Sequence, residues 1–292
     1  MNYHITHRTL YDYAAPVSVS HHVARLEPLN TGPQSRESFT LQIFPEPALR
    51  KERMDYFGNQ LCFFAIQEIH TKLEIITHSR VLVEPPKSPV KESAAAWESV
   101  AEMFRDPVSP GVVEPYQFVF DSPQVRASME LADYARESFG GGTPLIAGAR
   151  DLTHRIFRDF KYDPKATTVA TPLEEVWEKR RGVCQDFAHL GIACLRSLGL
   201  PARYVSGYLR TRPPEGQPRL VGADASHAWF SIFSPGNGWM DFDPTNNCQL
   251  AEEHITVAYG RDFSDVSPIA GILTGGGNHV VKVSVDVEPL DG

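Results

Sequence analysis

The sequence predicts an α+β protein in two parts, an N-terminal antiparallel β-sandwich-like domain and a core in which helices come first and strands follow. Three observations carry this. Residues 1–85 contain five runs rich in β-branched and aromatic residues with turn chemistry between them, helical periodicity becomes sustained only after residue 121, and a strand–turn–strand pattern returns after residue 226. A chain of 292 residues, 42% hydrophobic and 22% charged, is long enough to bury a substantial core or to divide into two domains.

The first part reads as strands over Tyr3–Thr9, Val17–Leu26, Phe39–Phe44, Leu61–Gln67 and Leu73–Val83. Phe57-Gly58-Asn59 supplies a hairpin turn, and Pro28, Pro45 and Pro47 interrupt the runs. Residues 86–121, punctuated by Pro86, Pro89, Pro107, Pro110 and Pro115, read as a linker with a helical patch around Ala94–Phe104. The third part, 122–292, opens with Ser122 as N-cap and Pro123 at the first helical position of a run that closes on Gly140-Gly141-Gly142. A helix over Pro144–Phe160 follows. Thr171-Pro172-Leu173-Glu174 then has the form of a capping box for a short helix ending at Lys179.

From Cys184 to Leu198, Phe187, Leu190, Gly191, Cys194, Leu195 and Leu198 recur at helical spacing, and Gly199-Leu200-Pro201 ends the run. Cys184 therefore sits in the first turn of a buried helix, where free amide N–H groups and the positive end of the helix dipole favour a thiolate. Cys194, deeper on the same apolar face, and Cys62, in a strand, read as packing residues, and Cys248 as a loop thiol. Four cysteines without a Cys-x-x-Cys pair form neither a disulfide scaffold nor a zinc clamp.

His227–Phe233, the turn Ser234–Gly238 and Trp239–Asp243 form a hairpin pattern. Pairing Phe233 with Trp239 places His227, Asp241 and Asp243 on one face by strand alternation, with Asp243 two residues short of His227's partner position, a gap that a bulge would close. A thiol, an imidazole and a carboxylate are the parts of a nucleophile, base and orienter arrangement. Asp186, in the first turn of the Cys184 helix, reads as dipole compensation, and Asp262 with Asp265 as a solvated acidic turn carrying too few oxygens for calcium. His21-His22 point to opposite strand faces and do not make a metal site, so neither a metal nor another cofactor is expected. The final run, His279–Val287, alternates so that Val281, Val283, Val285 and Val287 should face a core.

Arg181-Gly182-Val183-Cys184-Gln185-Asp186-Phe187-Ala188, Ser226-His227-Ala228-Trp229 and Asp243-Pro244-Thr245-Asn246 resemble the three signature blocks of the transglutaminase-like superfamily, in the same order. Phe160–Pro164, Tyr259–Val266 and, in the first domain, Asp55–Asn59 resemble its bacterial branch and that branch's N-terminal domain. The resemblance implies a papain/transglutaminase-like core in which Cys184 attacks an amide carbonyl, His227 shuttles the proton and Asp243, rather than Asp241, orients the ring. None of Trp97, Trp177, Trp229 and Trp239 matches the oxyanion-holding tryptophan of animal transglutaminases. The Cys184 amide and Tyr162 are candidate oxyanion donors, and Gln185 and Asp224 are candidate substrate contacts.

The expected activity is thiol-dependent hydrolysis of a peptide or other amide bond. Acyl transfer from glutamine to an amine and a non-catalytic binding module are the alternatives. A net charge of -8 and a pI near 5.8 argue against nucleic acid and anionic membrane as partners, and the partner that the resemblance and its thiol chemistry imply is a peptide or protein substrate. The absence of an apolar leader pattern or membrane-length run gives a cytoplasmic expectation.

Overall fold

A computed structural model describes residues 1–85, 95–105, 110–211, 225–250 and 252–290. It is an α+β structure, as expected, built on two antiparallel sheets. The first is a curled sheet organised around one long strand, β1 (Asn2–Ala24), which joins the two N-terminal runs into a single element. β2 (Gln34–Phe44), β3 (Leu49–Met54), β4 (Gln60–Ile66) and β5 (His70–Val83) complete its N-terminal part in the order β2-β5-β1-β4-β3. Asp55 Oδ1 accepts from the amides of Phe57 and Asn59, and Gly58 adopts φ 85°, which makes the tight β3–β4 turn. β3 was not expected, because all six of its residues are exposed and it carries no apolar alternation.

α1 (Trp97–Met103) and α2 (Pro110–Tyr116) follow, within the stretch read as a linker. Val100, Phe104 and Val112 from this stretch are buried in the main core, and Phe118 is buried as well. α3 (Met129–Arg136) starts later than expected: Ser128 caps it, its hydroxyl accepting from Leu131 N at 3.2 Å. Ser122 is unavailable as a cap because its hydroxyl accepts from the buried Arg196 guanidinium at 3.0 Å. α4 (Leu145–Asp159) matches the expected helix, and β6 (Lys161–Tyr162) follows it. α5 (Leu173–Lys179) has the expected extent but no capping box, since the Thr171 hydroxyl accepts from Thr168 N instead. β7 (Arg181–Gly182) pairs in parallel with β6 and leads into α6 (Cys184–Ser197).

The second sheet holds β8 (Ala202–Leu209), β9 (Ala225–Ser234), β10 (Gly238–Asp243), β11 (Cys248–Gln249) and β12 (His254–Gly260) in the order β11-β10-β9-β8-β12. α6 packs against β9 at Gly191, where an added Cβ would come within 2.6 Å of the Phe230 ring. α7 (Phe263–Val266) is capped by Asp262, whose Oδ1 accepts from Ser264 N at 2.8 Å. Asp262 is fully buried, and its other oxygen accepts from Gln124 N, so this is an interior capping node rather than a solvated turn.

β13 (Ile269–Gly275) and β14 (His279–Pro289) return to the first sheet and pair with the two halves of β1. Only the end of β14 meets a core. Val285 and Val287 are buried, whereas Val281 and Val283 are exposed, because the sheet has a covering layer over only part of that strand. That layer is the second sheet: Tyr3, Ile5, Val81, Val83, Val285 and Val287 pack against Tyr208, Ile255 and Val257.

Candidate active site

The site begins at the entry to α6. Cys184 is the first helical residue, so its own N–H has no acceptor within the helix. Asp186, at the third helical position, is nearly fully buried and turns back to accept from Val183 N at 2.8 Å and from the Thr167 hydroxyl at 2.6 Å. Burial pushes its carboxyl up, against the pull of those two donors. Its role here is to fix the chain as it enters the helix. Gly182 leaves the necessary room, since a Cβ there would lie 2.6 Å from Asp186 Oδ2.

The expected hairpin is present, with Trp239 opposite Phe233. Its ladder runs from Gly238–Ser234 to Phe242–Phe230 without a bulge. Continued one step, the register sets Asp243 opposite Trp229 and diagonal to His227, and the length of an imidazole side chain spans that diagonal. His227 Nε2 lies 2.7 Å from Asp243 Oδ2. A carboxylate only accepts, so Nε2 carries the proton, and Nδ1 is left for the hydrogen bond that the ring makes with the Cys184 thiol. The structure thus brings Cys184, His227 and Asp243 into one chain of contacts. Asp241, on the same face, instead accepts from the Ser231 hydroxyl and lies near Arg203.

Two side chains not singled out from the sequence complete the cluster. His254 Nε2 donates to the same Asp243 Oδ2 at 3.0 Å, and Asn246 Nδ2 does so at 2.6 Å. Asp243 Oδ1 accepts from Thr245 N at 2.9 Å and from Asn246 N at 3.2 Å. Asn246 was visible in the sequence as part of the Asp243–Asn246 block. His254 had no comparable local signal, because β12 reaches the site only through its pairing with β8.

Burial alone would lower the proton affinity of His227, but the hydrogen bonds to Asp243 and Cys184 prevail and raise its pKa to about 10. Burial would raise Asp243, but the bonds from His227, His254 and Asn246 hold it far below the ordinary carboxylate range. The arrangement therefore favours an imidazolium between a carboxylate and a thiol. The other cysteines lie in the opposite setting: burial raises Cys62, takes Cys194 to about 12 and, with Asp243 and Glu253 nearby, takes Cys248 to about 11. Cys248 is paired in β11 rather than lying in a loop.

One donor atom from each of His227, Asp243 and His254 lies within 4.8 Å of the others, a spacing that a metal ion would accept. Both histidine Nε2 atoms are protonated toward the carboxylate, however, and a metal ligand must present a lone pair. The atoms that face one another, the two Nε2 and Asp243 Oδ2, are satisfied as a hydrogen-bonded set.

Tyr162 pairs with Gly182 across β6–β7, and its half-exposed phenol is raised by burial and by the neighbouring Cys184. The Gln185 amide donates to the Val169 carbonyl at 3.4 Å. Asp224 lies outside the described residues. No helix among the described residues is long and apolar enough to cross a membrane.

Comparison with known proteins agrees with this architecture. Residues 3–82 match the bacterial transglutaminase-like N-terminal region, and residues 132–244, which include all three of Cys184, His227 and Asp243, match the transglutaminase-like superfamily. An uncharacterised protein of Mycobacterium tuberculosis is 41% identical over 99% of this chain and 93% of its own. A solved structure of a candidate cysteine protease from Cytophaga hutchinsonii superposes with a TM-score of 0.75 at 22% identity, covering 100% of this chain and 91% of that one. A protein-glutamine gamma-glutamyltransferase of Pseudomonas aeruginosa is 31% identical over 142 residues, 46% of this chain and 20% of that protein.

Proposed function

The chain belongs to the transglutaminase-like superfamily, and from that membership and the geometry above we propose that it is a cysteine enzyme that hydrolyses a peptide or other amide bond through an acyl-enzyme on Cys184. The observation that carries this is the His227 ring held through Nε2 by a buried carboxylate, with its other nitrogen on the thiol. In the acylation step Sγ forms a bond to the substrate carbonyl carbon, and the thiol proton resides on His227 Nδ1. The carbonyl oxygen becomes an oxyanion beside the Cys184 N–H and the Tyr162 hydroxyl. Nδ1 then protonates the leaving amine as the C–N bond breaks, which leaves a thioester. Water attacks that thioester with His227 as base, releasing the acid and restoring the thiol.

Acyl transfer is the second reading, favoured by the partial likeness to the Pseudomonas aeruginosa transferase. The two share every step up to the thioester and differ in whether water or an amine takes the acyl group. Incubation with glutamine-containing protein and peptide substrates plus a labelled primary amine separates them. Hydrolysis predicts that acid accumulates faster than label is incorporated. The reverse order selects the transferase, and no Cys184-dependent product from any substrate, together with alkylation of Cys184 at the pH of a free thiol, removes both enzymatic readings in favour of a binding module.

A further inference from the structure

The acid that holds His227 also holds a second imidazole. His254 and His227 both donate to Asp243 Oδ2, at 3.0 and 2.7 Å, and their rings lie 6.1 Å apart. We propose that His254 is a positioning residue for the Cys184–His227 pair, which acts by drawing charge from the oxygen that holds the His227 proton. This rests on the thiol chemistry proposed above and adds to it a control on how readily that proton is released.

The Asp243 carboxylate has more donors than its placement needs. Its orientation is secured without His254: Thr245 N and Asn246 N anchor Oδ1, and Asn246 Nδ2 anchors Oδ2 at 2.6 Å. A third donor on Oδ2 is redundant for geometry but not for charge. Asp243 is fully buried and His254 is 5% exposed, so this hydrogen bond acts in a medium of low polarity, where each donor weakens the oxygen's hold on the others. A base that must also return its proton to a leaving amine works best when its proton affinity is not extreme.

His254 is placed to serve only this purpose. Its Nδ1 has no hydrogen-bond partner among the described residues, and Trp229 meets its ring edge to face at 5.2 Å. Two residues along β12, Thr256 is gripped at both N and O by the Gln34 side chain, each at 2.8 Å, so the N-terminal sheet sets the height of the strand that carries His254. The other titratable groups around the two imidazoles are Cys184, with Tyr162 and Tyr204 beside it, Cys248 with Glu253 near Asp243, and Asp241 near Arg203 beyond His254.

The test is the pH profile of Cys184 alkylation by iodoacetamide, read by peptide mass mapping on the full chain, for the wild type, His254→Phe and His254→Gln. The wild-type profile should show two steps, one for the thiolate forming beside a charged ring and a second at higher pH as the ring loses its proton. Without the donor, His254→Phe should widen that window by moving the upper step up by about one pH unit, a tenfold change in the ring's proton affinity and the size of one charge-assisted hydrogen bond, while the lower step, at which the ring is already charged, does not move down. His254→Gln, whose amide N–H can reach the same oxygen, should restore the wild-type window. His254→Leu carries the same expectation if the Phe variant does not fold. Folded Phe and Leu variants with unmoved steps would overturn the inference and leave His254 a packing residue. A lower step that moves up would overturn it in favour of simple orientation. A wild-type midpoint near that of a free thiol would instead defeat the proposed thiol chemistry, and this inference with it.

Discussion

Replacing Asp243 by Asn preserves shape and removes charge, which isolates what the carboxylate does. Three N–H groups converge on Oδ2, at 2.7, 3.0 and 2.6 Å, and two on Oδ1, at 2.9 and 3.2 Å. An amide offers one acceptor oxygen, so in either orientation its NH2 group faces at least two other donors. Each buried donor left without a partner costs about 1–3 kcal/mol, which places the loss of stability at roughly 3–5 kcal/mol, the range for removing one side of a buried ion pair. The chemical effect is larger. Either His227 keeps its Nε2 proton without a charge to stabilise the imidazolium, or it changes tautomer and turns an N–H toward the thiol. In both cases the Cys184 alkylation profile should move toward that of a free thiol near pH 8.5, which is only about 0.3% ionised at pH 6. The iodoacetamide rate at pH 6 should then fall by about two orders of magnitude. Cys62, Cys194 and Cys248 serve as internal controls, since burial raises all three. A folded Asp243→Asn variant that alkylates at Cys184 within about threefold of the wild-type rate at pH 6 would refute the role assigned to this carboxylate.

Stability should peak near neutral pH. The His227 pKa is raised to about 10, so its contribution is full below the unfolded value near 6.5 and is lost as pH climbs toward 10, whereas burial lowers His7 to about 4, so its contribution is full above 6.5 and is lost as pH falls toward 4. Denaturant melts from pH 4 to 10 should show both limbs, and Asp243→Asn should flatten the alkaline one; a monotonic profile contradicts this. Gly182→Ala should reduce Cys184 reactivity more than stability, because its Cβ would press on Asp186 2.6 Å away and shift the helix entry, and alkylation rate against Tm compares the two effects. Gln34→Ala leaves Thr256 N without its acceptor, while Thr256 O keeps the Leu29 N–H at 3.1 Å, and should cost about 1–3 kcal/mol in chemical denaturation, a loss that an unchanged midpoint would exclude.

What could be read from the sequence was set by local chemistry. The helical spacing from Phe187 to Leu198 placed Cys184 at a helix start, and the Ser234–Gly238 turn with strand parity put His227 and Asp243 on one face. Where a residue's partner was distant in sequence, the reading slipped. Ser122 has the chemistry of an N-cap, yet Arg196 claims its hydroxyl across the core, and the helix begins after Ser128. Val281 and Val283 share the alternation of Val285 and Val287, but periodicity does not reveal where a covering layer stops. His254 was hidden for the same reason: its importance comes from β12 lying beside β8, a pairing that no short-range pattern encodes.

That pairing also bears on why the N-terminal sheet and the site occur in one chain. β12 is the outer strand of its sheet, and its free edge would present unpaired backbone groups to solvent or to another chain. Side chains of the first sheet occupy that edge instead. Gln34 bonds to both N and O of Thr256, and Asn59 does the same at Tyr259, accepting from its N at 2.8 Å and donating to its O at 2.7 Å. Two amide side chains thereby do what a neighbouring strand would do, and they leave the hydrophobic contact of Tyr3, Ile5, Val285 and Val287 with Tyr208, Ile255 and Val257 to hold the sheets together. Because β13 and β14 also pair with β1, the polypeptide enters the first sheet at both ends and encloses the site between. The position of His254 at Asp243 is therefore a property of the joined sheets, and Gln34→Ala, which touches neither Cys184 nor His227, should shift the Cys184 alkylation profile through the strand that carries His254.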